Sequence, residues 1–301
     1  TVGNLRLHVL GVVDREADFS QYRLIILPDD IVVDEETATR LKGAVDAGAG
    51  VLLTGTSGLG EDGFVLDVGA AWHGESPFQP DYVLPAPAVA SEVFTSPLVM
   101  YLPSQRITPS GGESLGEVYD PYFNRSYDHF CSHQHAPPRP DPSGYVSGVR
   151  SGSIVYLAHP IFSNYRALGA VAYRELIRRA IDLVLEPTVS TDLPSTARVA
   201  LNRQADEHRY VLHLLYGAPA ARGAAAELST DGSVRPTRPV EVIEDLPALT
   251  GTEIRCTVPE EITRITLEPA GVEVPFRRDG KEVAFAVGEW SCHVMATLHY
   301  D

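Results

Sequence analysis

YRLIILPDDIVVDEETATRLKGAVDAGAGVLLTGTSGL, residues 22–59, is the stretch whose reading decides the fold. Residues 22–28 (YRLIILP) form a short apolar run between polar flanks, as in a strand buried on both faces of a parallel sheet. Asp34 reads as a helix N-cap, with Glu35 and Glu36 in the first turn, where the helix dipole favours negative charge. Ala38, Leu41, Ala44 and Val45 share one helical face, and Gly48 and Gly50 stop the helix. Residues 51–54 (VLLT) are the next buried strand, and residues 55–60 a flexible turn at its carboxyl end. Strand, helix, strand with short links implies a right-handed parallel crossover. The expected class is α/β with a doubly wound sheet.

Upstream, residues 5–10 read as the end of a helix and 11–13 as a short strand. No strand precedes that helix, and the chain starts at Thr1 rather than Met; the expectation is a domain entered partway along. Downstream, residues 67–118 alternate short strands with Pro- and Gly-rich turns, and 153–158 (SIVYLA) is another buried strand. Residues 164–185 predict the longest helix: Leu168, Val171, Ala172, Leu176, Ile177, Ala180, Ile181 and Val184 make a wide apolar stripe at period 3.6. Arg174, Glu175, Arg178 and Arg179 fall largely on the other face and read as solvated. Pro187 ends the helix, and the pattern then changes. Residues 198–202, 209–216, 241–244, 253–258, 263–268, 282–287 and 292–300 are strand-like, and Asp279-Gly280 is a hairpin signal. The expected organisation is an α/β domain over 1–187 and a small antiparallel β-sandwich over 188–301.

The length of 301 residues fits two domains. Net charge is −16, which argues against nucleic-acid binding, since neutralising phosphates takes a basic face. No run approaches the roughly 20 apolar residues of a membrane span. Charged residues within the first 20 positions exclude a secretory signal there. Cys131, Cys256 and Cys292 are odd in number and widely spaced, so no disulfide framework is expected. A reducing, cytoplasmic setting follows by default, with Cys256 and Cys292 as inert core residues.

Chemistry concentrates in residues 119–139, YDPYFNRSYDHFCSHQHAPPR. The segment is too polar to bury without many partners, because an unpaired buried polar group costs roughly 1–3 kcal/mol. It is also too aromatic for an ordinary solvated loop. Tyr119, Tyr122, Phe123, Tyr127 and Phe130 offer rings that stack on sugar C–H faces, and Asp120, Asn124 and Arg125 offer hydrogen bonds to hydroxyls. Packing of the same rings onto their own domain is the competing reading. His129, Cys131, His133 and His135 share one parity, so an extended strand would point them to one face, where imidazole and thiolate suit zinc. Their spacing is not that of common zinc sites, and Pro137-Pro138 ends the strand. Polar packing, sugar or partner contact, and metal all stay open. His159, at the end of strand 153–158, is a candidate for the same surface. A Cys131 nucleophile lacks a strand-to-helix elbow to support its thiolate. The glycine loop 54–63 has neither GK[ST] nor a full G-x-S-x-G around Ser57, and reads as a strand-to-loop exit.

Residues 22–59 resemble the β-galactosidase trimerisation domain, which is similar to a class I glutamine amidotransferase without its catalytic cysteine. No cysteine follows strand 51–54 here. YDPYFNRSYDHFCSHQHAPPRP and GSIVYLAHPIFSNY resemble the same region of bacterial glycosyl hydrolases, some related to α-L-fucosidases. The resemblance implies a flavodoxin-like or amidotransferase-like first domain, a (β/α)₈ barrel before it and a small β-sandwich after it. It implies a non-catalytic C-terminal part of a glycoside hydrolase, mediating oligomerisation, as a homotrimer, and shaping the active-site mouth of a barrel not present in this chain. The expected partners are that barrel, neighbouring subunits and carbohydrate, with no nucleic acid, membrane or cofactor. The expected substrate-binding or interface residues are Tyr119, Asp120, Tyr122, Phe123, Asn124, Arg125, His129, His133, His135 and His159. The alternative is a free-standing amidotransferase-like sugar- or metal-binding protein without hydrolase activity.

Overall fold

The computed structural model describes residues 17–91, 96–222, 226–228, 230, 234–236 and 240–301. The helix end expected at 5–10 and the strand at 11–13 lie outside them. The chain divides into two compact units that meet in sequence between Glu186 and Pro187.

The first unit grows from β1 (Leu24–Leu27), α1 (Glu35–Asp46) and β2 (Gly50–Thr54). The Asp34 carboxylate caps α1 by accepting from Thr37 N at 2.8 Å. Ala38 and Leu41 of α1 share a buried cluster with Val51 and Leu53 of β2. Gly48, with φ 100°, ends the helix in the left-handed region that favours glycine. Gly50 does not stop it. A Cβ there would stand 2.4 Å from the Val184 carbonyl, so this glycine lets the chain after the last helix lie against β2.

Further strands are β3 (Ala70–Glu75), β4 (Asp81–Pro85), β5 (Leu98–Met100), β6 (Gln105–Pro109), β7 (Glu113–Ser114), β8 (Gly116–Tyr119), β9 (Gly148–Ser151) and β10 (Ile154–Leu157). The main sheet runs β1-β2-β10-β9-β7. Its first three strands are parallel, and β9 and β7 are antiparallel additions. Every residue of β2 and β10 is buried, as their unbroken apolar runs require. β3 pairs with β6, and β4 lies between β5 and β8.

The single helix expected over 164–185 is instead two, α2 (Ile161–Leu168) and α3 (Val171–Asp182). Gly169, at φ 64°, closes α2 with a left-handed cap. The break resets the helical phase. Leu168 and Val171 are therefore 49% and 53% exposed, whereas Leu176, Ile177, Ala180 and Ile181 keep the buried stripe. Glu175, Arg178 and Asp182 form ion pairs along the outer side of α3, as its charge pattern implies. No helix among the described residues is long and apolar enough to cross a membrane.

Asp29, at φ 61° just beyond β1, ties the sheet edge together. Its Oδ1 accepts from Thr54 Oγ1 at 2.7 Å and Phe162 N at 3.3 Å, and its Oδ2 accepts from Ser163 N at 2.6 Å. Its own N–H donates to Thr54 Oγ1. The N-cap position of α2 is Pro160, which has no capping side chain. A carboxylate from over 130 residues away does that work, satisfying orphan N–H groups where the helix dipole is positive.

The second unit is antiparallel. Of its two main sheets, one holds Val189–Thr191, Thr252–Thr257, Glu282–Val287 and Phe276–Asp279, and the other Arg198–Gln204, Arg209–Leu215, His293–Tyr300, Ile262–Glu268 and Val272–Glu273; Ala220–Arg222 with Val240–Val242 and Ala226–Leu228 with Val234–Pro236 form two-stranded ribbons. Leu212, Leu214, Ala296 and Leu298 from one sheet and Ile254, Cys256, Val283 and Phe285 from the other share a single core. Two sheets over one core make a sandwich. The hairpin at Asp279 turns through Gly280, at φ 58°. Burial pushes the Cys256 thiol up to about 12, consistent with an inert core residue. Cys292 is not one: it is exposed, at φ 60°, in the turn before the last strand. The alternation that buries side chains begins only with that strand.

Asp29→Ala is expected to lower stability by about 2–4 kcal/mol, from a lost helix cap and an orphaned buried threonine hydroxyl. Urea unfolding measures it. A change within about 0.5 kcal/mol, the size of an ordinary surface substitution, would mean that the cap is dispensable.

Candidate functional site

Residues 120–139 leave the end of β8 and return beside it through a bridge between Pro121 and Pro138. The base of this loop is tied down. Arg139 N donates to the Asp120 carbonyl at 2.8 Å, and the Tyr82 hydroxyl to the Ala136 carbonyl at 2.6 Å. Asn124 accepts from Gln79 N at 3.0 Å and donates to the Pro77 carbonyl at 2.6 Å. The Asp120 carboxylate pairs with Arg106, only 4% exposed, whose guanidinium sits 4.9 Å from the centre of the Tyr145 ring.

The tip is different. Residues 124–130 are all exposed. Tyr127 is 94% and Phe130 66% exposed, and Tyr122 at the shoulder 53%. Phe123 stacks on the His129 ring at 3.8 Å, and Arg125 Nη1 donates to the Gln134 carbonyl at 3.0 Å. His133 is exposed, while Tyr119 is half-buried, its hydroxyl donating to Glu117 at 3.1 Å. The loop thus presents aromatic faces together with imidazole and guanidinium groups, a set able to stack on and hydrogen-bond a polar ring or a protein surface.

Two sequence expectations change here. The segment holding His129, Cys131, His133 and His135 is a chain of bends rather than a strand, so their shared parity does not aim them at one point. His129 lies on Phe123, and His135 packs edge-on to Tyr101 at 5.7 Å with its Nδ1 buried and without a hydrogen-bond partner. Cys131 Sγ lies near the His133 and His135 carbonyls. Among the described residues no three His, Cys, Asp or Glu come together as metal ligands. His159, in turn, is not on the loop surface. It is 1% exposed, with Nε2 2.6 Å from Asp81 Oδ1, and Asp81 Oδ2 accepts from Ser104 Oγ at 2.6 Å. The strand end that carries it is covered, so its imidazole serves the interior. Ser57 is likewise fully buried and accepts from Ile31 N.

Sequence reading missed Asp81, Ser104 and Arg106, buried polar groups of the first unit, of which Arg106 pairs with Asp120 at the loop's root. Each stands singly in an unremarkable strand context, and nothing local marks it as buried. Burial raises the Asp81 carboxyl, but His159, Ser104 and Arg106 outweigh it and hold it below its ordinary value.

Comparison with known proteins sets this geometry in context. Residues 5–71 match the family model of the β-galactosidase trimerisation domain. The fold is similar to that of α-L-fucosidase isoenzyme 2 from Paenibacillus thiaminolyticus, with TM-score 0.86 and 34% identity over 95% of this chain and 42% of that one. Two β-galactosidases share the fold at 14% identity and TM-score 0.51: Gan42B, covering 93% of this chain and 32% of its own, and the enzyme of Rahnella sp. R3, covering 97% and 35%. The chain therefore spans less than half the length of each of these structures. No curated protein sequence matches it.

Breaking the buried pair by His159→Ala is expected to cost about 3–5 kcal/mol, because it leaves the Asp81 carboxylate short of a partner. Since Asp81 titrates below its unfolded value, its contribution is complete above about pH 4 and is lost as pH falls through the lower folded value. Urea midpoints followed from about pH 5 to pH 2 should therefore fall, and Asp81→Asn should flatten that fall. An unchanged slope in the variant would assign the acid sensitivity to other carboxyls.

Proposed function

We propose that this chain is the non-catalytic, C-terminal part of a glycoside hydrolase of the β-galactosidase and α-L-fucosidase kind. Its first unit, amidotransferase-like in descent, assembles a homotrimer. The loop at 119–139 shapes the mouth of a sugar-binding barrel that lies elsewhere in the polypeptide or in a neighbouring subunit. The sandwich of the second unit is an accessory module. One observation carries the reading: nearly the whole of this chain aligns with less than half of a fucosidase, as an accessory portion would.

Two features support it. The buried carboxylates of the first unit are committed to structure, Asp29 to α2 and Thr54, Asp81 to His159 and Ser104. That leaves them unsuited as the paired acid and nucleophile of a glycosidase. Meanwhile Tyr127 and Phe130 stand exposed on an anchored loop. Burying such a ring is worth about 1.5–3 kcal/mol, a gain available only in a larger assembly or against a ligand.

The purified chain is expected to sediment as a trimer and to leave aryl galactosides, aryl fucosides and glutamine intact. In an enzyme carrying both parts, Arg125→Ala or His133→Ala should lower kcat/KM about 10- to 150-fold with the fold unchanged, the loss of one charge-assisted hydrogen bond. Wild-type activity in both variants would reduce the loop to decoration. Turnover of a glycoside by the chain alone, abolished by replacing one of its own carboxylates, would overturn the non-catalytic reading.

A further inference from the structure

Two histidines meet on the outer face of the larger sheet of the second unit. His213 lies in strand Arg209–Leu215, and His293 opens the neighbouring strand His293–Tyr300. The alternation that buries Leu212 and Leu214 turns His213 outward. Register sets Leu215 opposite His293 and His213 opposite Met295, so the imidazoles are diagonal neighbours on one face. His213 Nδ1 and His293 Nε2 are 3.2 Å apart. The ring planes are 6° from parallel, with centroids 5.4 Å apart. The two nitrogens therefore face each other along the line joining the rings. Beside them lies a depression of about 430 Å³, lined by Arg198, Val199, Ala200, Leu215 and the two imidazoles.

We propose that His213 and His293 form a two-imidazole chelate for a divalent transition cation, with Cu²⁺ the ion favoured. Bonds of about 2.0–2.1 Å place two imidazole nitrogens on one ion about 2.9 Å apart at a right angle and about 3.3–3.4 Å apart at the tetrahedral angle. The 3.2 Å separation lies in that window before any cation enters. In the hydrogen-bonded pair, one inner nitrogen carries the shared proton. Binding needs both inner nitrogens bare, so that proton moves to the outer nitrogen of the same ring, and the pair keeps its proton count. A modest swing of the rings brings both lone pairs onto an ion beside the line between them.

The sheet supplies the preorganisation. Both strands are held by their ladder over seven paired positions, so little backbone freedom remains to be lost on binding. Among the described residues no third His, Cys, Asp or Glu completes the set. Water from the depression fills the other positions, and the cation exchanges readily. Arg198, the charged group on that rim, donates to the Thr196 and Ala197 carbonyls. Imidazole pairs favour copper over zinc and nickel by intrinsic affinity, and the net charge of −16 raises the local concentration of any cation.

Titration of the purified chain with Cu²⁺, read by electron paramagnetic resonance, tests this. One Cu²⁺ per chain should show superhyperfine splitting from two imidazole nitrogens. His213→Ala and His293→Ala should each abolish that pattern and weaken binding at least about tenfold. His73→Ala, at an exposed histidine of the first unit, should change neither. Circular dichroism of each variant checks the fold, and His213→Gln repeats the measurement should the alanine variant unfold. Retention of the two-nitrogen pattern without either imidazole, or equal loss in His73→Ala, would overturn the proposal.

Discussion

The Asp29 carboxylate is the contact on which the first unit depends. It sits where β1 ends, bonds the hydroxyl at the end of β2, and accepts two N–H groups at the start of α2. Those three elements are far apart in sequence, so no local propensity holds them in register. The carboxyl edge of a parallel sheet facing a helix N-terminus is the usual place for an anionic ligand in α/β proteins. Here a side chain of the protein occupies that place. The edge becomes a structural joint.

The loop at 119–139 is built like a bracket. Its roots are fastened by backbone bonds, by Asn124 to residues 77 and 79, and by Asp120 to the buried Arg106. Arg106 is an expensive anchor. A buried guanidinium needs a carboxylate partner; Asp120 provides one to Nη2, while Nη1 stays buried without a hydrogen-bond partner and Asp81 is engaged with His159. The outer part makes few such bonds, and its rings face outward. An anchored root with an uncovered aromatic tip is the arrangement expected of a surface that contacts something beyond the unit.

Much of the first unit was legible in its sequence. β1, α1, β2 and β10 are written in continuous apolar runs, a capping aspartate and acidic first-turn residues, all local signals. Helix α2–α3 was misread because its apolar stripe runs on through Gly169, and one glycine inside a periodic stretch is ambiguous until its φ is known. The shared parity of the histidine and cysteine quartet is ambiguous for a related reason. Parity argues for one face only if the chain is extended, and residues 126–137 bend repeatedly. Cys292 follows the same logic, lying one residue outside the strand that would have buried it.

The sequence by itself marked β1, α1, β2 and β10, a change from helical to strand periodicity near Pro187, and the unusual store of aromatic and polar groups in residues 119–139. These properties reside in neighbouring side chains, in periodicity and in capping, and need no distant partner. Tertiary structure alone decided which polar groups are interior and which are offered to others. Asp29, Asp81 and His159 look no different in sequence from Asp128 or His133, yet the first three are buried and the last two exposed. The same holds for His213 and His293, eighty residues apart and joined only by strand register. Whether a polar side chain is hidden or free depends on which remote segment folds over it, and that is a property of the assembled chain.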